Sequence, residues 1–439
     1  MPTIAKSGWD PLGAWPSGRV WLWRGLAALV LAQGGAEFVA NLRPAPDAWT
    51  DFFQDWASAR NVQAGLPCYT DHRISARSHI DVKIPSDHGP LSANPFNAHP
   101  PAAVLLAWPF AWESLSDAAQ AWNLASLICL IVSIVILINQ LNLSINLAAI
   151  VVLTLLCMPL RSQLGLGQLN LVLLLAVVAG WADDRAGRPG RAGVWLGSAA
   201  AWKLFPALLV LILLIRGRRR GVVCALLSFL AWNLAAAVVL GPETFGDFLR
   251  TSRVQEPRFV VDWSNLSLLG FWSRLFDPHA LDGAYDGSIP LLPCQPLAWG
   301  LTLASVAAVL GWLIPRVMQA RTTVEADWAF GAAIPAMLLI APISWDHGLV
   351  LLLLPLALAW VHATGTTGGR LAFAAVAGLV WANPRLIRDL LIPQVIHGGV
   401  ATPELTLGIM SLPFYVLVGT FAYVMAVWPR GVEGEGGGG

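Results

Sequence analysis

Apolar runs recur along the chain from Val20 to the C-terminus, separated by polar stretches of very unequal length. About twenty apolar residues at 1.5 Å rise cross a bilayer as a helix. Spans are therefore expected at 20–40, 117–139, 147–161, 168–182 and 221–240. Five more are expected in "LAWGLTLASVAAVLGWLIP", "WAFGAAIPAMLLIAPI", "GLVLLLLPLALAWVHA", "LAFAAVAGLVWANP" and "LGIMSLPFYVLVGTFAYVMAV". The remaining apolar stretch, 192–215, reads "AGVWLGSAAAWKLFPALLVLILLI" and is interrupted by Lys203 and Pro206. Proline breaks a helix, and a lysine inside the bilayer costs about 3 kcal/mol on insertion scales, so two half-spans folded back as a hairpin are expected. The pattern thus predicts an all-α polytopic membrane protein with about twelve transmembrane helices.

Charge placement fixes the sidedness of this arrangement. The loops "DDRAGRPGR" at 183–191 and "RGRRR" at 216–220 are both basic, and basic loops favour the cytoplasm. A hairpin between them keeps both inside. The long polar stretches at about 41–116 and 241–295 then lie outside as extracytoplasmic loops, within one transmembrane domain over 1–430. "HPPAAVLLAWPF" at 99–110 is too short to span and holds three prolines, so an interfacial helix is expected there. Residues 431–439 read as a flexible glycine-rich tail.

Composition agrees, with 56% hydrophobic and 12% charged residues and a mean hydropathy of +0.63. No cleavage site follows the first apolar segment, so it is expected to stay as a span. A net charge of +1 gives no pull towards nucleic acid. Three of the five cysteines fall inside apolar runs, whereas Cys68 and Cys294 fall in the outer loops, where a disulfide is one possibility. His72, His79 and His88 with Asp81 and Asp87 match no closed zinc spacing, so neither a metal nor a cofactor is expected. "GLGQLNL" lacks the lysine-serine ending of a phosphate loop, which argues against a nucleotide site.

The polar features converge on one face. Asp51 and Asp55 lie one helical turn apart after the first span, Lys203 sits at the hairpin break, and "SWDH" at 344–347 caps an outer helix end. Asp51 offers a carboxylate able to take a proton, and Lys203 and His347 offer donors to negative charge. Arg258 and Arg274 are candidates for phosphate pairing through bidentate geometry. The competing readings are solvated loop acids, a lysine snorkelling to the interface, an interfacial histidine and ordinary loop salt bridges.

The ordered set of D-x-x-x-x-W-x-x-A with "GLPCY", then "HPPAAVLLAWPF", "GLGQLNLVLLL", "AAAWKLFP", "SNLSLLGF" and "APISWDHGLVLLLLPL" resembles glycosyltransferase family 87. The resemblance runs from about Thr50 to Leu354. It implies a GT-C-type bundle that inverts the anomeric centre. The implied donor is a polyprenyl-phosphate-linked hexose, mannose above others, and the implied acceptor a lipid or glycan at the outer face of the cytoplasmic membrane. By motif position the base is Asp51, the pattern AAxKLxP falls on Ala200, Ala201, Lys203, Leu204 and Pro206, and SWxHH falls on Ser344, Trp345 and His347. Gln168, Asn265, Trp345, Asp55 and His99 are carried as acceptor-side or supporting positions. Three departures stand out: Gly348 replaces the second histidine, His99 the usual aromatic before the double proline, and Trp56 a tyrosine. Transfer from another lipid-linked sugar such as arabinofuranose, transport of lipid or solute, and a noncatalytic bundle are the alternatives.

Overall fold

The protein is described here by a computed structural model covering residues 17–43, 51–81, 95–143, 147–283, 287–382 and 400–429. The glycine-rich tail, His88 and Asp87 lie outside the described residues. In chain order the helices are α1 Ser17–Leu42, α2 Asp51–Gln63, α3 His72–His79, α4 Pro101–Ala107, α5 Leu115–Leu141, α6 Leu147–Leu156, α7 Met158–Leu166, α8 Asn170–Arg185, α9 Pro189–Trp202 and α10 Ala207–Ile215. They continue as α11 Arg219–Leu240, α12 Glu243–Val260, α13 Leu268–Phe276, α14 Gln295–Gln319, α15 Thr323–Ile340, α16 Leu353–Ala363, α17 Thr367–Ala382, α18 Pro403–Leu407 and α19 Leu412–Ala426. Two-residue strands, β1 Gly287–Ser288 and β2 Val400–Ala401, pair in parallel.

Six segments among the described residues are long and apolar enough to cross a membrane, or seven if the bent pair α7 and α8 counts as one. Sequence periodicity predicted about twelve. The difference lies mainly between residues 147 and 215, where the apolar runs are cut into helices of 9 to 16 residues. Burial separates the long helices into two classes. The apolar window of α15 is 72% buried and forms the bundle's centre, whereas that of α11 is 11% buried and presents Leu227, Leu230, Leu234 and Val238 outwards, as a lipid-facing helix does.

The interruption at Lys203 and Pro206 is a hairpin. Arg188 and Arg191, at the start of α9, pair with Asp183, while Arg216 and Arg218, after α10, pair with the adjacent Asp184. The chain therefore leaves one end of the bundle, turns at Lys203, and returns to the same end. A third acid there, Asp327, accepts from Trp181 at 2.8 Å and pairs with Arg185 at 2.9 Å, so charges brought near the apolar interior are partnered. From this end α11 runs parallel to α9. A Cβ on Gly193 would meet Gly221 O at 1.9 Å, and one on Gly197 would meet Ala225 O at 2.1 Å. The G-x-x-x-G spacing thus lets the two backbones touch.

One expectation is corrected. α4 does not lie along the interface: Pro101, Ala102, Ala103, Val104 and Ala107 are buried, and the helix packs against α2, α9 and α11. Its run of small residues, with Pro101 at the permitted first helical position, suits a short inserted helix.

Candidate active site

α2 is slightly polar on average, yet Phe52 through Ala59 are all buried. Its polar side chains are satisfied by the segment just before α4. Asn97 Nδ2 donates to Gln54 O, Asp55 Oδ1 and Ser58 Oγ, each at 3.0 Å, and Ala98 N donates to Gln54 Oε1 at 2.8 Å. His99 Nδ1 lies 2.8 Å from Asp55 Oδ2. A carboxylate only accepts, so with Asp55 ionised the shared proton sits on Nδ1. The acidity of this stretch is thus internal: Asp55 is a buried, paired group and not a solvated loop acid. Asp51, one turn earlier, opens the helix and is half-buried.

The polar partners of Asp51 come from a break between helices. α7 and α8 meet at 120° around Gly167, Gln168 and Leu169. Gly167 has φ +65°, and a Cβ there would lie 2.6 Å from Phe52 Cβ, so only glycine serves both the turn and the close approach of α2. Trp122 Nε1 donates to the buried carbonyl of Gly167 at 2.7 Å, and the Gln163 amide donates to Gln168 O. This break aims two amides at the hairpin tip. Gln168 Nε2 donates to Asp51 Oδ2 at 2.6 Å, and Lys203 Nζ donates to Gln168 Oε1 at 3.3 Å and Asn170 Oδ1 at 3.2 Å. Asp51, Gln168 and Lys203, far apart in sequence, are therefore one hydrogen-bonded chain.

Burial pushes the Asp51 carboxyl above the usual carboxylate range, opposed by the Gln168 amide and by the charges of His99 and Lys203. A raised carboxyl with one oxygen fixed by an amide has the character of a positioned proton acceptor.

The remaining predicted positions form a second assembly. Asn265 clamps two loops: its Nδ2 donates to Val260 O and Pro342 O, and its Oδ1 accepts from Ser267 N and Ser344 N. Trp345, half-buried, meets Phe259 edge-on at 5.9 Å, next to the half-buried Arg258. His347 is buried, with Nδ1 3.8 Å from Asp346 Oδ1, in a 3₁₀ turn (Asp346–Leu352) packed on α7 and α8, the helices flanking the break. Arg274, expected as a phosphate partner, is set within this loop assembly. It is fully buried and donates to Asp262 O and Asn265 O at 2.8 Å, so its guanidinium supports the loop from beneath.

Asn170, Gln163 and Asn97 were not singled out from sequence; for Asn170 its polarity inside the apolar run "GLGQLNLVLLL" was the visible signal. Cys68 and Cys294 are both free thiols. Among the described residues no three His, Cys, Asp or Glu side chains gather as a metal site.

A helical membrane bundle with a hydrogen-bonded chain of acid, amide and lysine at a helix break is the class of protein defined by this fold and site. The chain belongs to glycosyltransferase family 87, whose model matches residues 97–342, a span that includes His99, Gln168, Lys203 and Asn265. It is a multi-pass membrane glycosyltransferase. Two mycobacterial proteins are similar, each named a polyprenol-phosphate-mannose-dependent alpha-(1-2)-phosphatidylinositol mannoside mannosyltransferase. The one from Mycobacterium tuberculosis is 26% identical over 326 residues, 67% of this chain and 68% of the relative. The one from Mycolicibacterium smegmatis is 28% identical over 280 residues, 57% of this chain and 58% of the relative. No solved structure matches.

Proposed function

We propose that this glycosyltransferase moves a hexose, mannose in our reading, from a polyprenyl phosphate to a hydroxyl of a lipid or glycan acceptor on the extracytoplasmic face of the cytoplasmic membrane. The observation that carries the proposal is the single amide of Gln168 bridging the Asp51 carboxylate and the Lys203 ammonium. Asp51 takes the proton of the acceptor hydroxyl while its oxygen bonds to the anomeric carbon. The bond from that carbon to the phosphate oxygen breaks on the opposite face, and the electron pair leaves with the phosphate beside Lys203. The anomeric centre is inverted, and neither a metal nor a cofactor is called for.

Three further observations support the reading. Leu204, Leu211 and Leu214, on the hairpin with Lys203, are 61%, 38% and 52% exposed, an apolar surface along which an isoprenoid tail can reach the ammonium from the bilayer. The basic loops lie at the other end of the hairpin from Lys203, and their charge bias towards the cytoplasm supports a site on the outer face. A groove of about 570 Å³ runs between residues 66–74 and α12, lined by Tyr69, Asp71, Phe96, Asp247 and Thr251 among others. Tyr69 Oη donates to His99 O at 2.5 Å, so the groove adjoins the Asp55 and His99 pair and is our route for the acceptor. The names of the mycobacterial relatives favour mannose as the sugar.

The test is transfer by the purified protein in nanodiscs from labelled polyprenyl-phosphate-mannose, beside the arabinofuranose-linked donor. Asp51→Asn should lose transfer while keeping the thermal transition of the wild type. Turnover retained in that variant removes the base assignment, and turnover of the arabinose donor alone removes mannose.

A further inference from the structure

Gln168 is a carboxamide, and its two ends make different demands. Its Nε2 meets a carboxylate, which only accepts, and its Oε1 meets an ammonium, which only donates. The amide can therefore sit one way round, and its orientation is fixed by both charged groups at once. Lys203 carries three donor protons, of which two go to Gln168 and Asn170, leaving one for a ligand. Asp51 is held through Oδ2, which leaves Oδ1 for an acceptor hydroxyl.

We propose that Gln168 is a positioning residue that couples the two halves of the site, so that a lipid phosphate at Lys203 and a sugar hydroxyl at Asp51 bind cooperatively. The inference rests on the functional reading above. A phosphate at the third proton of Lys203 makes a charge-assisted bond and immobilises the ammonium, a group on a flexible four-carbon stem at a helix break. Immobilising Lys203 fixes Oε1 of Gln168, and with it the carboxylate that Nε2 holds. The entropy of ordering these long side chains is then already spent when the acceptor arrives, and the acceptor binds more tightly. Linkage makes the effect reciprocal: acceptor bound first tightens the phosphate.

Two probes test this without turnover: geranyl phosphate for the lipid phosphate and octyl α-mannoside for the acceptor, with dissociation constants measured by calorimetry on the full chain in nanodiscs. In the wild type, saturating geranyl phosphate is expected to tighten octyl mannoside binding about fivefold or more, within the usual range of coupling between sites. In Gln168→Leu each probe should still bind alone, and the coupling should fall to less than about twofold. Gln168→Asn, which keeps the amide but is one methylene too short to span both groups, provides the same readout if the leucine variant folds poorly. Coupling retained in either folded variant, or absent in the wild type while both probes bind, overturns the proposal alone. Failure of geranyl phosphate to bind the wild type overturns the functional reading as well.

Discussion

Asp55 Oδ2 and His99 Nδ1 lie 2.8 Å apart with both side chains at least nine-tenths buried, and Asn97 occupies the other carboxylate oxygen. A buried carboxylate stripped of one partner is costly. His99→Ala should therefore destabilise the protein by about 3 kcal/mol or more, whereas Asp55→Asn, which keeps an acceptor for Nδ1 and sheds the charge, should lose less. Unfolding in detergent, followed by circular dichroism, separates the two.

The acid side of the pH profile follows from Asp51. Its carboxyl is raised chiefly by burial, and only the ionised form can take a proton. Transfer should accordingly fall as pH drops through a value above the ordinary aspartate range, a limb read from kcat/KM against pH. Gln168→Leu removes an influence that lowers this value, so the limb should move to higher pH. An unmoved limb would show that another group controls it.

Gly197→Ala places a methyl group 2.1 Å from Ala225 O, a contact that only backbone movement relieves. Overpacking of this kind costs about 1–3 kcal/mol. Because α9 carries Lys203 at its end, the substitution should lower both the melting temperature and transfer. Ala201→Gly, on the same helix, offers a comparison without added volume.

Asn265→Ala removes the acceptor for Ser267 N and Ser344 N and the donor to Val260 O and Pro342 O. Each buried group left unpaired costs about 1–3 kcal/mol. Hydrogen exchange should accelerate in residues 342–350, the segment carrying Trp345 and His347, more than in the central α15.

Burial, and secondarily the charge of Asp55, pushes the Cys68 thiol up to about 12. Thiolate is the reactive form, so N-ethylmaleimide at neutral pH should leave Cys68 unmodified in the folded protein and label it after denaturation, as read by peptide mass spectrometry.

The sequence was most informative where cost is local. A lysine and a proline within an apolar run can hardly be accommodated except at a break, so the hairpin at Lys203 was legible from residues alone. Asp51 and Gln168 were carried by the ordered family motifs, since an aspartate in a polar loop and a glutamine in an apolar run say little singly. What sequence concealed depends on contacts at long range. That Nη1 of Arg274 braces two loop carbonyls is one such contact. Residues 99–110 look interfacial because apolarity alone does not distinguish a lipid face from a protein face, and the buried alanines of α4 meet helices over 80 residues away. Among the described residues fewer long apolar helices are found than the expected spans, because bent pairs such as α7 and α8 divide apolar runs that composition cannot subdivide.

The hairpin also bears on biosynthesis. At 14 and 9 residues its two helices reach only about 21 and 13 Å, short of a hydrocarbon core of about 30 Å. Neither half is long enough to anchor itself as it emerges from the translocon. Stable residence in lipid must wait for α11, whose backbone Gly193 and Gly197 touch. Lys203 is thus set in place late, after the next helix has been synthesised, and a nascent chain halted before residue 240 should not hold it beside Gln168 and Asn170.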